Sequence, residues 1–229
     1  MNYKKINNNL PVAWEGIPFI ITGIGLTCIF FILHWESLAI LLAIVTLFTV
    51  YFFRDPKRTH IDNERAVFTP ADGTIISIEN LHNGDSRLKD KAIKISIFMS
   101  IFNAHVNRIP IKGKILQLSY HPGKFFSANR DKASLFNEHN IITLETDNKE
   151  KIVFVQIAGF IARRIACWIK KGDYVETAQR FGLIRFGSRL EVYLPPDCEI
   201  NVTKGEKVKA GKTIIGYISE TEKKKKIKK

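Results

Sequence analysis

A mainly β, α+β chain is predicted by three features of the 229-residue sequence: a hairpin-repeat β body behind an N-terminal hydrophobic helical hairpin. The stretch from Ile17 to Phe53 carries no Lys or Arg and a single acid, Glu36. Further along, short runs alternate apolar and polar side chains with the two-residue period of a strand. Near the end, a glycine-punctuated unit occurs twice at a constant offset of 33 residues.

The hydrophobic stretch breaks at His34-Trp35-Glu36-Ser37 into two apolar runs. Each is a little shorter than the ~20 residues that span a bilayer comfortably. Two short helices folded back on each other are expected. Lys4 and Lys5 precede them and Arg54, Lys57 and Arg58 follow, so the positive-inside tendency places both flanks, and the body beyond, in the cytoplasm. A cleaved signal peptide fits less well, because no small-residue cleavage site follows the first run and a second run comes at once. A hairpin buried in a soluble core is the plainer alternative. Residues 1–58 are thus expected as a membrane-associating hairpin with its flanks. "RDPKRTHIDNERA" reads as a polar linker, 59–219 as a β-rich domain and 220–229 as a basic tail.

Within the body, Ile93, Ile95, Ile97 and Met99 alternate with Lys94, Ser96, Phe98 and Ser100, which predicts a strand. "NIITLET" and "KIVFVQIAGF" flank Asp147-Asn148-Lys149 and read as a hairpin. In the repeat, Gly172 aligns with Gly205, Val175 with Val208 and Ala178 with Gly211, while "PADGTIISIE" opens a related unit. Such repeats suggest small hairpins packed on each other, resembling duplicated biotinyl/lipoyl-like units, with glycines at turns that need positive φ. "RDKAS" around Lys132 mimics a lipoyl attachment site but falls outside the repeated segment.

The formal net charge of +13 suggests an anionic partner. No basic helix or interleaved aromatics support nucleic acid, so an anionic membrane surface is the better match for the flanks and the tail "EKKKKIKK". Three cysteines, Cys28, Cys167 and Cys198, have neither disulfide-framework nor metal-ligand spacing, so no metal site is expected. A reducing compartment fits them best.

No phosphate loop, GxSxG elbow, HExxH or GxGxxG is present. What remains is Gly187-Ser188 in "RFGSRLEVYLP", directly ahead of a strand-like Leu190–Leu194. A serine hydroxyl beside a glycine carbonyl in a strained turn can attack its own backbone and convert the peptide to an ester. β-Elimination and hydrolysis would then leave a pyruvoyl group on the downstream chain. On local grounds a plain turn before a strand accounts for the pair equally well.

The wider sequence resembles the phosphatidylserine decarboxylase family in its short bacterial form. The resemblance rests on "YFFRDPKR", "PADGTI", "IFMSIFNAHVNRIP", "YHPGKFFSANRDKAS", "NEHN", "VQIAGFIARRI" and "FGLIRFGSRLEVYLP", in that order over nearly the whole chain. It implies self-cleavage between Gly187 and Ser188, a large chain 1–187, a small chain 188–229, and a covalent pyruvoyl cofactor made from Ser188. That ketone would form a Schiff base with phosphatidylserine and accept the electrons released with carbon dioxide, yielding phosphatidylethanolamine.

By the same resemblance Asp72 in "PADG" matches the family aspartate. His105, five residues before Pro110, matches one of two motif histidines, but the second position is Arg108. His105 is therefore a candidate for proton transfer or for a structural role. His121 and His139 lie in motif regions and either hold loops or touch substrate. Arg163 and Arg164 are candidates to pair with the lipid phosphate or carboxylate, or form a solvated face. Cys167 has no activating partner in the sequence and reads as packing. A homo-oligomer is compatible with such enzymes, though no interface is legible. Two rivals remain: a membrane-tethered β module without enzymatic activity, and a pyruvoyl decarboxylase acting on another amino-acid-headed lipid.

Overall fold

Two apolar helices fold back on each other at the N-terminus of the computed structural model, which describes residues 3–59, 61–82, 87–88, 91–123, 137–159, 164–185 and 187–219. A short α1 (Tyr3–Ile6) and a 3-10 turn (Trp14–Gly16) lead into α2 (Ile17–Ile32), which has a proline in its first turn. The chain reverses at His34, which takes φ 59°, and returns as α3 (Glu36–Phe52). A Cβ on Gly23 would lie 2.3 Å from Thr46 Oγ1, so the helices touch there only because that side chain is missing. The Thr27 and Thr46 hydroxyls donate to carbonyls one turn back, Gly23 O and Leu42 O, which lets polar groups sit in apolar helices. Ile21, Phe31, Ile32, Ile40, Ile44 and Leu47 are all exposed. An exposed apolar surface of this extent marks a membrane or an interaction surface. Among the described residues one helix, residues 14–32, is long and apolar enough to cross a membrane, and α3 is a shorter apolar helix.

The base of the hairpin is built into the body. Val12 bridges Arg54, Ala13 N–H donates to Phe53 O, and Asp55 N–H donates to Pro11 O. Glu15 accepts from Lys5 Nζ (2.6 Å) and Trp168 Nε1 (3.0 Å). The stretch after Phe53, expected as a linker, is in part packed: Asp55 is buried and Arg58 forms a largely buried ion pair.

The body consists of β1 (Ala66–Phe68), β2 (Gly73–Leu81), β3 (Ala92–Met99), β4 (Val106–Arg108), β5 (Gly113–His121), β6 (His139–Glu145) and β7 (Lys151–Ala158). There follow β8 (Ile165–Cys167), β9 (Tyr174–Val175), β10 (Arg180–Ile184), β11 (Ser188–Leu194), β12 (Glu199–Ile200), β13 (Lys207–Val208) and β14 (Ile214–Tyr217). Eight strands form one sheet in the order β13-β2-β3-β11-β7-β6-β5-β9. Two three-stranded sheets, β1-β14-β12 and β4-β10-β8, complete it. The predicted strand is β3, and the predicted hairpin is β6–β7.

The repeat read from the glycines is a structural duplication. Gly172 and Gly205 take φ 89° and 92°, and Ala178 and Gly211 take 60° and 64°. Gly172 N–H donates to Ile115 O in one copy and Gly205 N–H to Ile75 O in the other. The copies also clasp each other reciprocally, Phe68 N–H to Pro110 O and Arg108 N–H to Pro70 O. The large sheet is accordingly a palindrome, with β13-β2-β3-β11 matching β9-β5-β6-β7.

At its centre β11 is buried along its whole length, between β3 and β7. Leu190, Val192 and Leu194 join the main core with Ile95, Ile97, Phe154 and Phe181. Tyr193 packs on the other face with Val153, Val155 and Ile157. The Glu191/Tyr193 face of β11 is thus a second interior.

Candidate active site

Gly187 sits immediately ahead of β11 with φ 59°, in the left-handed region that side chains resist. Nothing lies within 4 Å of where its Cβ would be, so backbone conformation, not space, calls for glycine. Ser188 is wholly buried and pairs with Met99 on one side and Ala158 on the other. Its hydroxyl donates to Met99 Sδ at 3.4 Å, a weak acceptor that leaves the oxygen lone pairs uncommitted. A buried hydroxyl at the head of a strand, behind a left-handed glycine, is compatible with attack on the preceding carbonyl.

From Met99 a buried polar chain runs away from Ser188. Asn107 Nδ2 donates to the same sulfur at 3.8 Å, Gln156 Nε2 donates to Asn107 Oδ1 at 2.9 Å, and Asn140 Nδ2 donates to Gln156 Oε1 at 3.0 Å. On the opposite face, Arg189 Nη2 meets Glu191 Oε1 at 3.0 Å and donates to Ser96 Oγ at 2.9 Å. Tyr193 OH donates to Glu191 Oε2 at 2.8 Å, and burial pushes its pKa upward, with the Glu191 charge adding to the shift. Glu191 and Ser96 are fully buried and Arg189 nearly so. Sequence reasoning missed this cluster. Its signal was present as two opposite charges inside an apolar strand, one of them next to Ser188.

His105 ends the loop that follows Met99. The loop is shaped by Asn103, whose side-chain oxygen accepts from both Ser100 N–H and Ser100 Oγ. His105 is fully buried, and its Nδ1 lies 2.9 Å from Asn103 O. Because a carbonyl only accepts, Nδ1 carries the proton and Nε2 has a bare lone pair. That Nε2 is buried without a partner among the described residues, and the ring lies 4.1 Å from that of Phe52, the last residue of α3. Burial pushes the His105 pKa down to about 4, opposed by the Asn103 carbonyl and reinforced by Arg54. The ring is neutral at physiological pH.

Asp72 and Arg108 are engaged elsewhere. Arg58 Nη2 donates to both Asp72 oxygens, at 3.0 and 2.7 Å, and Ala210 N–H donates to Oδ1 at 2.7 Å. The Asp72 carboxylate is therefore gripped by Arg58 rather than by a histidine. β3 stands between β2, which follows Asp72, and β11. With strands ~4.8 Å apart, that order sets Asp72 roughly 10 Å across the sheet from Ser188. Arg108, in the second motif position, donates from Nη2 to Asp55 Oδ1 (3.1 Å) and Pro56 O (3.0 Å) and from Nη1 to Ala178 O (3.0 Å). Arg180 Nε donates to Asp55 Oδ2 at 2.6 Å, and Asn8 Nδ2 to the same oxygen at 3.3 Å. Burial lowers the Arg108 pKa to about 10 against the opposing pull of Asp55, so it stays charged. A cavity of about 470 Å³ beside this network is lined by Arg58, Arg108, Gln179 and Arg180.

The other expected site residues lie apart from Ser188. His121 is exposed and stacks on His139 at 4.8 Å, and His139 Nδ1 lies 2.7 Å from Asn137 O. Burial lowers the His139 pKa, with Arg87 and His121 adding to the shift. His121, His139, Ile157 and Arg189 form one row across the sheet, adjacent to the row of Ser188. Arg164 is exposed, whereas Arg163 and Lys132 lie outside the described residues. The Cys167 thiol is pushed up by burial.

Comparison with known proteins places the chain in a family. The profile of the phosphatidylserine decarboxylase family matches residues 45–216. A phosphatidylserine decarboxylase proenzyme of Geotalea uraniireducens (strain Rf4) is 47% identical over 212 residues, covering 93% of this chain and 99% of the relative. Those of Desulfotalea psychrophila (48% over 209 residues, 91% and 97%) and Syntrophus aciditrophicus (50% over 208 residues, 90% and 96%) are similarly related. The chain belongs to the phosphatidylserine decarboxylase family, and it is an enzyme of the decarboxylase class.

Proposed function

We propose that this enzyme converts phosphatidylserine to phosphatidylethanolamine after cleaving itself between Gly187 and Ser188, and that Ser188 becomes a pyruvoyl group. The observation that carries the mechanism is the left-handed Gly187 directly ahead of a buried Ser188 at the head of the central strand. In this reading Ser188 Oγ adds to the Gly187 carbonyl carbon. The Gly187–Ser188 C–N bond breaks as the ester forms, freeing the Ser188 amine. Loss of the Ser188 α-proton then expels the Gly187 carboxylate and leaves dehydroalanine. Water converts that to the ketone with release of ammonia, giving chains 1–187 and 188–229.

The residues present suit such a group: Ser188 is held in register by two neighbouring strands, and among the described residues the hydroxyl that it would lose has only a sulfur for a partner. When formed, a pyruvoyl group supplies a carbonyl for the substrate amine and an acceptor for the electron pair released with carbon dioxide. His105 is assigned to proton transfer through Nε2. A neutral ring beside the substrate carboxylate would also not hold it in a salt bridge, which would oppose loss of carbon dioxide. Asp72 is assigned to self-cleavage, with Arg58 and the Ala210 N–H fixing its carboxylate in place. His121 and Arg164 lie on exposed surface where a headgroup could pass, and Arg163 shares that assignment by its sequence position.

The hairpin and the basic flanks are assigned to an anionic cytoplasmic membrane surface, with residues 59–219 as the catalytic domain, 220–229 as a basic tail and both hairpin ends on the cytoplasmic side. The test is release of labelled carbon dioxide from vesicles carrying carboxyl-labelled phosphatidylserine. The wild-type protein should release it and Ser188→Ala should not. An active Ser188→Ala protein would remove the mechanism.

A further inference from the structure

Arg185 stands out among the arginines around the hairpin base. Arg54 donates to Tyr51 O and Phe102 O, Arg58 grips Asp72, and Arg108 and Arg180 share Asp55. Arg185 has no hydrogen bond or ion pair among the described residues, and its Nε is buried without a partner. An unpaired buried guanidinium nitrogen is costly, so a donor-only group in that state points to a missing anion.

Its position says which kind. The Arg185 guanidinium lies 5.5 Å from the centre of the Phe19 ring, in the first turn of α2, and that ring is 52% exposed and stacked on Phe53 at 5.9 Å. Phe53 meets Phe52 at 5.0 Å, and Phe52 meets His105 at 4.1 Å. Phe102, in the His105 loop, is 62% exposed beside the same helix ends. Arg185 therefore sits where the exposed apolar surface of the hairpin meets the β body. Once the hairpin is embedded, this is the depth of lipid phosphates. It is also two residues ahead of Gly187 and on the upstream side of the scissile bond.

We infer that Arg185 binds the phosphodiester of the glycerophospholipid whose amine reaches residue 188, an inference that rests on the function proposed above. In a serine-headed lipid, four bonds separate phosphorus from the amine, at most roughly 6 Å with bonds near 1.5 Å. A long side chain rooted three residues before Ser188 is placed to span that distance. Its planar fork of donors matches two phosphate oxygens, while the Phe19 ring supports its face.

The experiment uses the full-length chain in detergent, uncleaved through Ser188→Ala, with monomeric dihexanoylphosphatidylserine as the probe. Added Arg185→Gln should weaken binding by about tenfold or more, Arg185→Lys should fall between, and Lys149→Gln, the loss of an exposed charge, should leave it unchanged. Inorganic phosphate should bind at least about tenfold more weakly than the lipid. In the self-cleaved enzyme, Arg185→Gln should raise KM for the lipid with kcat within about threefold. Equal affinity of parent and Arg185→Gln, including no measurable binding by either, overturns the inference. So does a fall in kcat with KM unchanged, and equal binding of inorganic phosphate would reduce the site to one for free ions. Failure of the underlying function would look different, since the wild-type protein would then release no carbon dioxide from phosphatidylserine.

Discussion

In the proposed self-cleavage, Gly187 and Ser188 divide one task between backbone and side chain. Alanine at 187 must hold a left-handed φ that costs about 1–2 kcal/mol, with no steric clash to add. If that whole cost falls on reaching the reactive turn, Gly187→Ala slows self-cleavage roughly tenfold, as followed by the appearance of the two chains over time. Arg58→Gln leaves Asp72 buried with only the Ala210 N–H, which should cost about 3 kcal/mol and slow cleavage as Asp72→Ala does. Normal cleavage with lost turnover in Asp72→Ala would move that residue to the decarboxylation step. His105 makes a pH prediction. Its folded pKa lies near 4, below the ordinary 6.5, so the unfolded chain takes up a proton first as pH falls. The stability present above pH 6.5 is lost progressively down to about pH 4, by up to roughly 3 kcal/mol. Denaturant unfolding of the uncleaved Ser188→Ala chain should show this slope, and His105→Gln should flatten it.

The hairpin is an element with two faces, an apolar surface outward and a contact with His105 of the candidate site inward. Phe52 and Phe53 belong to the main core, so the last turn of α3 is part of the body that positions His105. Gly23→Leu would force the two helices apart, since even a Cβ would meet Thr46 Oγ1. Lower thermal stability in detergent, with the β body still folded, is the expected result. Asp55 ties α1, the hairpin exit and β4–β10 together. Asp55→Asn strips one carboxylate from two buried or largely buried guanidinium groups, which should cost about 3–5 kcal/mol and lower Tm by roughly 10 °C. That knot was not legible in the sequence, where "RDPKR" looked like a polar linker. The partners of Asp55 lie 53 and 125 residues away, and no local period reports such a contact. β3, the β6–β7 hairpin and the helices were legible because their signals are local. Arg189 and Glu191 were missed for a related reason. Alternation implies that one face of a strand differs from the other, but whether that face is wet depends on what covers it.

At the scale of the molecule, a duplicated β unit carries an unduplicated candidate site. The glycines that hold the repeated turns recur at a fixed offset, which is why the duplication could be read before the fold. The site residues do not recur. Lys112 stands before Gly113 where Asp72 stands before Gly73, and Ser188 lies at the start of one of the two central strands only. The motif order pointed to Ser188, Asp72 and His105, but not to the fact that Arg58 holds Asp72 or that Arg185 has no ion pair among the described residues, because both depend on how the hairpin docks. The measurement that tests the account most directly is the intact mass of the purified protein under denaturing conditions. Two chains are expected, the smaller beginning at residue 188 and lighter than its sequence by one ammonia. A protein that decarboxylates phosphatidylserine as a single full-length chain with an unmodified Ser188 would contradict it.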